Sequence, residues 1–360
     1  MSTDNLGKGR VMAAMSGGVD SAVAAYLLKE QGYEVVGVTM CLGVETLEGG
    51  PVRCCGPREI EDARRVCTTL DISHHVLNFG PGLRAYVIEP FISEYRSGRT
   101  PNPCFLCNRH IKFGSLLDAA LAFECDFLAT GHYAKVEEVD GELLFMAAKD
   151  TRKDQTYFLS GVRREALRHV LFPLADLTKD EVRAIAHKAG LPVSSKPESQ
   201  DICFIPDGGT EKYLMQNIEA VPGDIVDRTG RVMGRHKGLA FYTIGQRARL
   251  SMNWGKSVYV VKKDIENNRI VLGERDALLS PGLVAGGLNL FTDRIPTEAK
   301  AKIRYAHEPA PCRVSIAGDR MEVHFREPQE SVTPGQTVAL YHEGALLASG
   351  IIQEAMAWTT

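Results

Sequence analysis

A chain of 360 residues, 44% hydrophobic and 24% charged, has ordinary globular composition and room for two or three domains of about 100–200 residues each. Its net charge of −3 excludes a polyanion-binding surface over the whole molecule, so any nucleic acid must be met by local patches. No run approaches the roughly 18 apolar residues of a membrane span, and polar Met1–Arg10 has no apolar signal core, which predicts a cytoplasmic protein.

Arg10–Met15 reads as a short buried strand, followed by Ser16-Gly17-Gly18-Val19-Asp20-Ser21 and a helical run ending at Gly32. Tyr33–Met40 reads as a second strand. Arg58–Leu70 has helical spacing, Ser73–Leu77 is strand-like, and Asn108–Phe123 is helical again. Cys125–Ala134 gives a strand running into a loop. Such alternation over about the first 200 residues predicts a parallel sheet covered by helices. Asp140-Gly141 predicts a hairpin turn, Thr178 and Glu181 a capping box, and Gly190 with Pro192 a helix stop. After Cys203, short strands recur among turn residues, which predicts an all-β remainder: one small domain to about residue 280 and a barrel-like one beyond.

Ser16–Ser21 falls between a strand and a helix, at the carboxyl edge of the predicted sheet. Its adjacent glycines allow a tight turn and close approach of a ligand. The loop N–H groups and the helix N-terminus then form an anion site, with Ser16 and Ser21 as extra donors. Asp20 suits a Mg²⁺ that bridges ligand oxygens. A Gly-Gly turn with a serine cap is the plain alternative, and the full Ser-Gly-Gly-x-Asp-Ser after a first strand weighs against it. The hexapeptide resembles the pyrophosphate loop of the N-type ATP pyrophosphatases, which cleave ATP to AMP and pyrophosphate while adenylating an acceptor. It lacks the closing Gly-Lys of a Walker loop.

Nine cysteines, an odd number in a chain predicted to be cytosolic, argue against a disulfide framework. Cys41, Cys67, Cys125 and Cys312 lie among apolar neighbours and read as buried hydrophobes. Cys54-Cys55 lies in a Gly/Pro-rich loop without an assigned role. Cys104-Phe105-Leu106-Cys107 stands at a helix entrance behind Thr100-Pro101-Asn102-Pro103, where the helix dipole would lower a thiol pKa. By itself this Cys-x-x-Cys fits a zinc half-site, a redox pair or no chemistry at all.

Taken in order, SGGVDS, TPNPxxxCN (100–108), ATGHYA (129–134), KDQTYFL (153–159), SQDICFI (199–205) and YTIGQR (242–247) resemble the tRNA-specific 2-thiouridylase family. The resemblance implies an α/β ATP-pyrophosphatase domain over residues 1–207. A small central β domain (208–280) and a C-terminal β barrel (281–360) would follow, both binding tRNA. ATP would bind along Ala14, Met15, Ser16, Gly17, Gly18, Val19, Asp20 and Ser21 and against Met40 and Gly131, with Mg²⁺ on Asp20. Adenylation would make the 2-oxygen of the wobble uridine a leaving group. Cys203 would carry a persulfide and Cys107 would complete transfer, ending as a Cys107–Cys203 disulfide. The flipped base and its loop would meet Asn102, Pro103, Cys104, His132, Lys153, Asp154 and Gln155, and the barrel would hold tRNA through Arg304, Tyr305 and Gln336. Implied partners are the glutamate, glutamine and lysine tRNAs and a sulfur donor, either a cysteine desulfurase or a relay carrier.

Two positions depart from the family pattern. Some family members carry an aspartate where this chain has Cys104, and a thiol cannot do a carboxylate's work in the same way. The basic tail after Gln246 reads Arg247-Ala248-Arg249, with one charge moved by one place. Residues 228–249 hold five arginines, one lysine and no acid, and with Phe241 and Tyr242 interleaved they suit phosphate contact. A rival sulfur route places an iron–sulfur cluster on Cys104, Cys107 and Cys203. Two further alternatives are an ATP pyrophosphatase acting on a small molecule and a non-enzymatic RNA-binding module. His132 and Asn102 also have plain readings, as a hydrogen-bonded loop residue and a turn.

Overall fold

The apolar segment Arg10–Ala14 forms strand β1 at the centre of a five-stranded sheet, buried on both sides as a parallel strand must be. The computed structural model describes residues 8–43, 56–197, 202–205, 209–248 and 257–357. Glu34–Cys41 (β2) and Ser73–Asn78 (β3) lie on one side of β1, and Phe127–Ala129 (β4) and Val170–Leu171 (β7) on the other, in the order β3-β2-β1-β4-β7. Every neighbouring pair is parallel. Because the chain leaves β1 for β2 and later returns to its other flank, the strand order reverses beside β1. A ligand crevice opens at the carboxyl ends of such strands.

Helices Val19–Glu30 (α1), Pro57–Thr69 (α2) and Lys179–Lys188 cover this sheet. α1 is rich in small residues, and Ala22, Val23, Ala24, Ala25 and Leu28 are all buried against Val11, Ala13 and Met15. The same core takes Ala63 and Val66 from α2, and Val182 and Ala186 from Lys179–Lys188. Each fully buried Val or Leu contributes about 1.5–3 kcal/mol. Strands Lys135–Val139 (β5) and Glu142–Met146 (β6) form the expected hairpin, with Asp140 and Gly141 at φ 51° and 81° as a type I′ turn requires.

The segment Asn108–Phe123 is helical as expected, in two different windings. Cys107–Ser115 is a π-helix, and only Leu116–Ala122 is α-helical.

The chain divides into two compact units, the first holding Met1–Val87, Cys104–Pro206 and Gly344–Leu346. The second holds Ile88–Pro103, Asp207–Glu343 and Leu347–Thr360. In the second, Gly223–Asp227 (β8), Val232–His236 (β9), Tyr259–Asp264 (β10) and Arg269–Gly273 (β11) pair in the order β10-β11-β8-β9. Their core is Ile225, Val258, Val260, Ile270 and Leu272. The all-β expectation needs one correction, since Gly209–Asn217 is a helix that buries Leu214.

Six further strands are Leu279–Leu290 (β12), Glu298–Lys302 (β13), Ala310–Ala317 (β14), Arg320–Glu330 (β15), Thr337–His342 (β16) and Ala345–Ala355 (β17). They run β12-β15-β14-β13-β16-β17, and the β12–β17 pairing closes these six strands into a barrel.

Candidate active site

At the carboxyl end of β1 the chain turns through Ser16–Gly18 into α1. Gly17 takes φ +72°, and a Cβ there would stand 2.5 Å from the Glu59 carbonyl, so only glycine fits. The turn is held by hydroxyls. The Ser21 Oγ donates to the Gly18 carbonyl at 3.0 Å and accepts from the Ser16 N–H at 3.2 Å, with the Ser16 Oγ 3.1 Å away. Thr39 Oγ1, one residue before half-buried Met40, donates to the Met15 carbonyl at 3.0 Å and ties β2 to the loop. Ala14 closes β1 half-buried, while Met15 and Val19 are buried. Gly131 presses on the loop from β4's side, where a Cβ would meet the Asp20 carbonyl carbon at 2.7 Å. All the predicted nucleotide residues of the first unit therefore gather at one sheet edge.

Asp20, in the first turn of α1, is held by a lysine and a tyrosine from elsewhere in the first unit. Its carboxylate accepts from the Lys179 ammonium at 2.7 and 2.8 Å and from the Tyr133 hydroxyl at 2.9 Å. Both carboxylate oxygens therefore accept hydrogen bonds, Oδ1 from two donors and Oδ2 from one. Among the described residues no group of three or more His, Cys, Asp or Glu could hold a metal ion. That includes Cys104, Cys107 and Cys203, whose placement does not suit an iron–sulfur cluster.

The thiols nonetheless share a neighbourhood in the first unit, where Cys203 acts electrostatically on both Cys104 and Cys107. Cys203 is exposed, Cys104 half-buried and Cys107 buried. Burial pushes the Cys107 thiol up to about 12, opposed by the Lys112 ammonium and reinforced by Cys203 and Cys104. The low pKa expected at the helix entrance is therefore corrected: loss of water around the sulfur outweighs any benefit from the helix end. Cys104 is likewise raised, by burial first. Next to Cys107, buried Asn108 donates from Nδ2 to the Phe158 carbonyl at 2.9 Å, and its Oδ1 is enclosed with no partner among the described residues.

Lys112 sits 3.3 Å from His132 Nε2, and His132 Nδ1 lies 2.7 Å from Thr130 Oγ1. The ammonium can only donate, so Nε2 accepts and the proton resides on Nδ1. Burial, and then Lys112, holds the imidazole well below its ordinary pKa and therefore neutral. Gln155 clamps Tyr133 through its backbone N–H and its Oε1, both at 2.9 Å. Asp154 accepts from Thr156 Oγ1 at 2.6 Å and from the Ala148 N–H at 3.3 Å, and Lys153 stands half-buried beside it.

In the second unit, Asn102 is buried and donates to Thr337 Oγ1 at 3.3 Å, with Pro103 following it at the start of a short helix. Gln336 Nε2 donates to the Thr100 and Pro101 carbonyls at 2.9 and 3.2 Å, so its amide fastens the Thr100–Pro103 turn. Arg304 donates to the Ser331 and Glu330 carbonyls at 2.7 and 3.0 Å, while Tyr305 is exposed beneath the Lys302 ammonium. In the basic stretch Arg228, Arg231, Arg235, Lys237 and Arg247 are exposed, and Lys237 pairs with Glu211. Phe241 is buried, which corrects its expected place as an interleaved surface aromatic. Cys54, Cys55, Asp201 and Arg249 lie outside the described residues.

Sequence reasoning missed Lys112, Tyr133, Lys179 and Lys196. Lys196 donates to the Gly17 carbonyl at 3.1 Å and to Asp62 at 2.7 Å, beside the loop. Lys179 left one readable sign, a lysine directly behind a capping box, at the helix end that disfavours cations.

Residues 9–207 match the family described as tRNA methyl transferase HUP domain, 211–274 the tRNA methyl transferase PRC-barrel domain, and 281–352 the aminomethyltransferase beta-barrel domain. Among curated relatives, "tRNA-specific 2-thiouridylase MnmA 1" of Syntrophus aciditrophicus is 52% identical over 97% of this chain and 94% of its own length. The tRNA-specific 2-thiouridylase MnmA of Carboxydothermus hydrogenoformans is 47% identical over 98% of this chain and 99% of its own. That of Geobacter metallireducens is 44% identical over 96% and 97%. With all three parts matched in order and relatives aligned almost end to end, this chain belongs to the tRNA-specific 2-thiouridylase family.

Proposed function

We propose that this enzyme thiolates the 2-position of the wobble uridine of tRNA, using ATP to activate the oxygen and a cysteine persulfide to supply sulfur. The observation that carries the reading is the near full-length similarity to relatives bearing that name. The loop at β1 supports it, since Ser16–Gly18 runs into the N-terminus of α1, which has no side-chain cap and where phosphate oxygens bind well.

In the first step the uridine 2-oxygen attacks the α-phosphorus of ATP, and pyrophosphate leaves. The terminal sulfur of a Cys203 persulfide then adds to C2, and AMP departs with the oxygen. Cys107 attacks the Cys203 Sγ, the S–S bond to the base breaks, and the electron pair stays on the sulfur bound to C2 as 2-thiouridine. The two cysteines end as a disulfide, which an external thiol reduces.

The contrast between the two cysteines suits these roles. Exposed Cys203 can receive sulfur from a donor protein, whereas Cys107 rests protonated and does not attack early. Lys112 is the cation that can stabilise its thiolate when the step comes. Asn102, Pro103, Cys104, His132, Lys153, Asp154 and Gln155 are proposed for the uridine and its loop. Arg304, Tyr305 and the exposed arginines are proposed for tRNA, while Gln336 would act there through the turn it fastens. No step runs through a metal on Asp20 or a cluster on the thiols.

Cys203→Ser tests the route. It should abolish thiouridine formation while the tRNA–adenylate still accumulates from ATP, read by release of labelled pyrophosphate. Sulfur transfer that survives in Cys203→Ser removes the persulfide assignment.

A further inference from the structure

The sulfur transfer proposed above uses Cys107 and Cys203 and leaves Cys104 outside the exchange, although all three thiols act on one another. Cys104 lies in the helical turn Pro103–Leu106. Leu106, at φ −66° and ψ −41°, carries that turn without a break into Cys107. Three helical steps, each rising 1.5 Å and turning about 100°, put the two Cα atoms about 5 Å apart. A disulfide asks for about 4.4–6.8 Å. The backbone therefore already holds Cys104 and Cys107 at bonding separation.

The surroundings favour exchange at this place. Cys104 is half-buried where Cys107 is buried, so it is the member of the pair that an external reductant reaches. Cys203 is exposed, and a thiolate that leaves on it is taken up by water. The Lys112 ammonium acts on both Cys104 and Cys107, which favours a thiolate on either.

We propose that Cys104 is a second resolving thiol, which attacks Cys107 Sγ in the Cys107–Cys203 disulfide and releases Cys203 for reloading. The Cys104–Cys107 bond forms as the Cys107–Cys203 bond breaks. The Cys104 proton goes to solvent, the electron pair leaves on Cys203 Sγ, and that sulfur takes up a proton. One disulfide replaces another, so no oxidant is consumed. An external dithiol then reduces Cys104–Cys107 by attack at Cys104, while Cys203 is already a thiol open to the sulfur donor. This inference rests on the persulfide reading and deepens it, giving the order in which the cysteines return to use.

The test is a single turnover by the full wild-type chain, followed by peptide mapping. Cys203 is loaded with persulfide by a cysteine desulfurase, and free cysteine is removed by gel filtration. Unmodified tRNA, ATP and Mg²⁺ are then added with no other thiol present. After an acid quench and alkylation, peptides and nucleosides are read by mass spectrometry from the same sample. The expected result is 2-thiouridine, alkylated Cys203, and a Cys104–Cys107 disulfide at least about tenfold more abundant than Cys107–Cys203. A second measurement needs neither turnover nor a variant. The tRNA-free chain, equilibrated in a mixture of reduced and oxidised dithiothreitol, should also collect as Cys104–Cys107. 2-Thiouridine with Cys107–Cys203 as the lasting disulfide overturns the proposal and leaves the persulfide route standing. So does a redox-buffer equilibrium in which Cys107–Cys203 forms and Cys104 stays a thiol. 2-Thiouridine with all three cysteines alkylated overturns the persulfide route, and this proposal with it.

Discussion

Cys107 and Cys203 sit in the same unit, yet one sulfur is enclosed and the other meets solvent. Alkylation of the tRNA-free protein should therefore mark Cys203 first at pH 7.5, read by peptide mass spectrometry. With its thiol pushed up to about 12, Cys107 should react slowly, its rate rising about tenfold per pH unit and reaching no plateau below about pH 11. Equal labelling of the two at neutral pH would remove the distinction on which their roles are argued. Lys112→Met takes away the cation that opposes burial and should slow Cys107 labelling further at pH 9, several-fold. His132 already sits well below its ordinary pKa, so a pH–rate profile should show no limb near 6.5 arising from it. That Cys107 and Cys203 stand in motifs, the basis of their proposed roles, was legible in the sequence. The state of Cys107 was not, because a Cys-x-x-Cys at a helix entrance announces the dipole while burial is settled by residues far away in sequence.

At the scale of elements, the cap of the helix Lys179–Lys188 decides where Lys179 stands. Thr178→Ala removes the side chain that accepts from the Glu181 N–H and should cost about 1 kcal/mol in denaturant unfolding. Glu181 is held at about 2 by Lys149 first and then by Thr178, below the ordinary 4.5. A carboxylate lowered in the folded state adds stability above its unfolded pKa. That contribution should be complete above about pH 4.5 and fade as pH falls towards 2. The sign reverses if Glu181→Gln makes the pH 2–4.5 slope steeper rather than shallower.

The capping box and the Asp140-Gly141 hairpin could be read directly, since each is local and its chemistry lies within four residues. The π-helix Cys107–Ser115 could not. In an α-helix, at about 100° per residue, Lys112 would stand roughly 140° around from Cys107. The i→i+5 bonding of a π-helix instead lays residue i+5 nearly over residue i, on the thiol's side. That is why Lys112 escaped notice. Lys179 and Lys196 escaped for another reason: they reach Asp20 and Gly17 over separations of 159 and 179 residues, which no spacing rule spans.

For the whole molecule, a net charge of −3 means that tRNA affinity must come from patches. Arg228, Arg231, Arg235 and Arg247 are exposed in the second unit. Binding of tRNA should weaken steeply with salt, and each arginine that meets a phosphate should reduce the log–log slope by about 1 when changed to alanine. A slope untouched by all four substitutions would move the tRNA surface elsewhere. The order of parallel sheet, small β unit and barrel was legible because alternating and recurring short elements mark it along the chain. The closure of the barrel by β12 against β17 was not, since it joins strands some 60 residues apart whose pairing partners leave no local signal. The most direct measurement is mass spectrometry of nucleosides from unmodified tRNA incubated with the protein, ATP, Mg²⁺ and a cysteine desulfurase. A 2-thiouridine peak that appears only when ATP is present is the predicted result. Its absence, with the protein folded and binding ATP, would contradict the assigned activity.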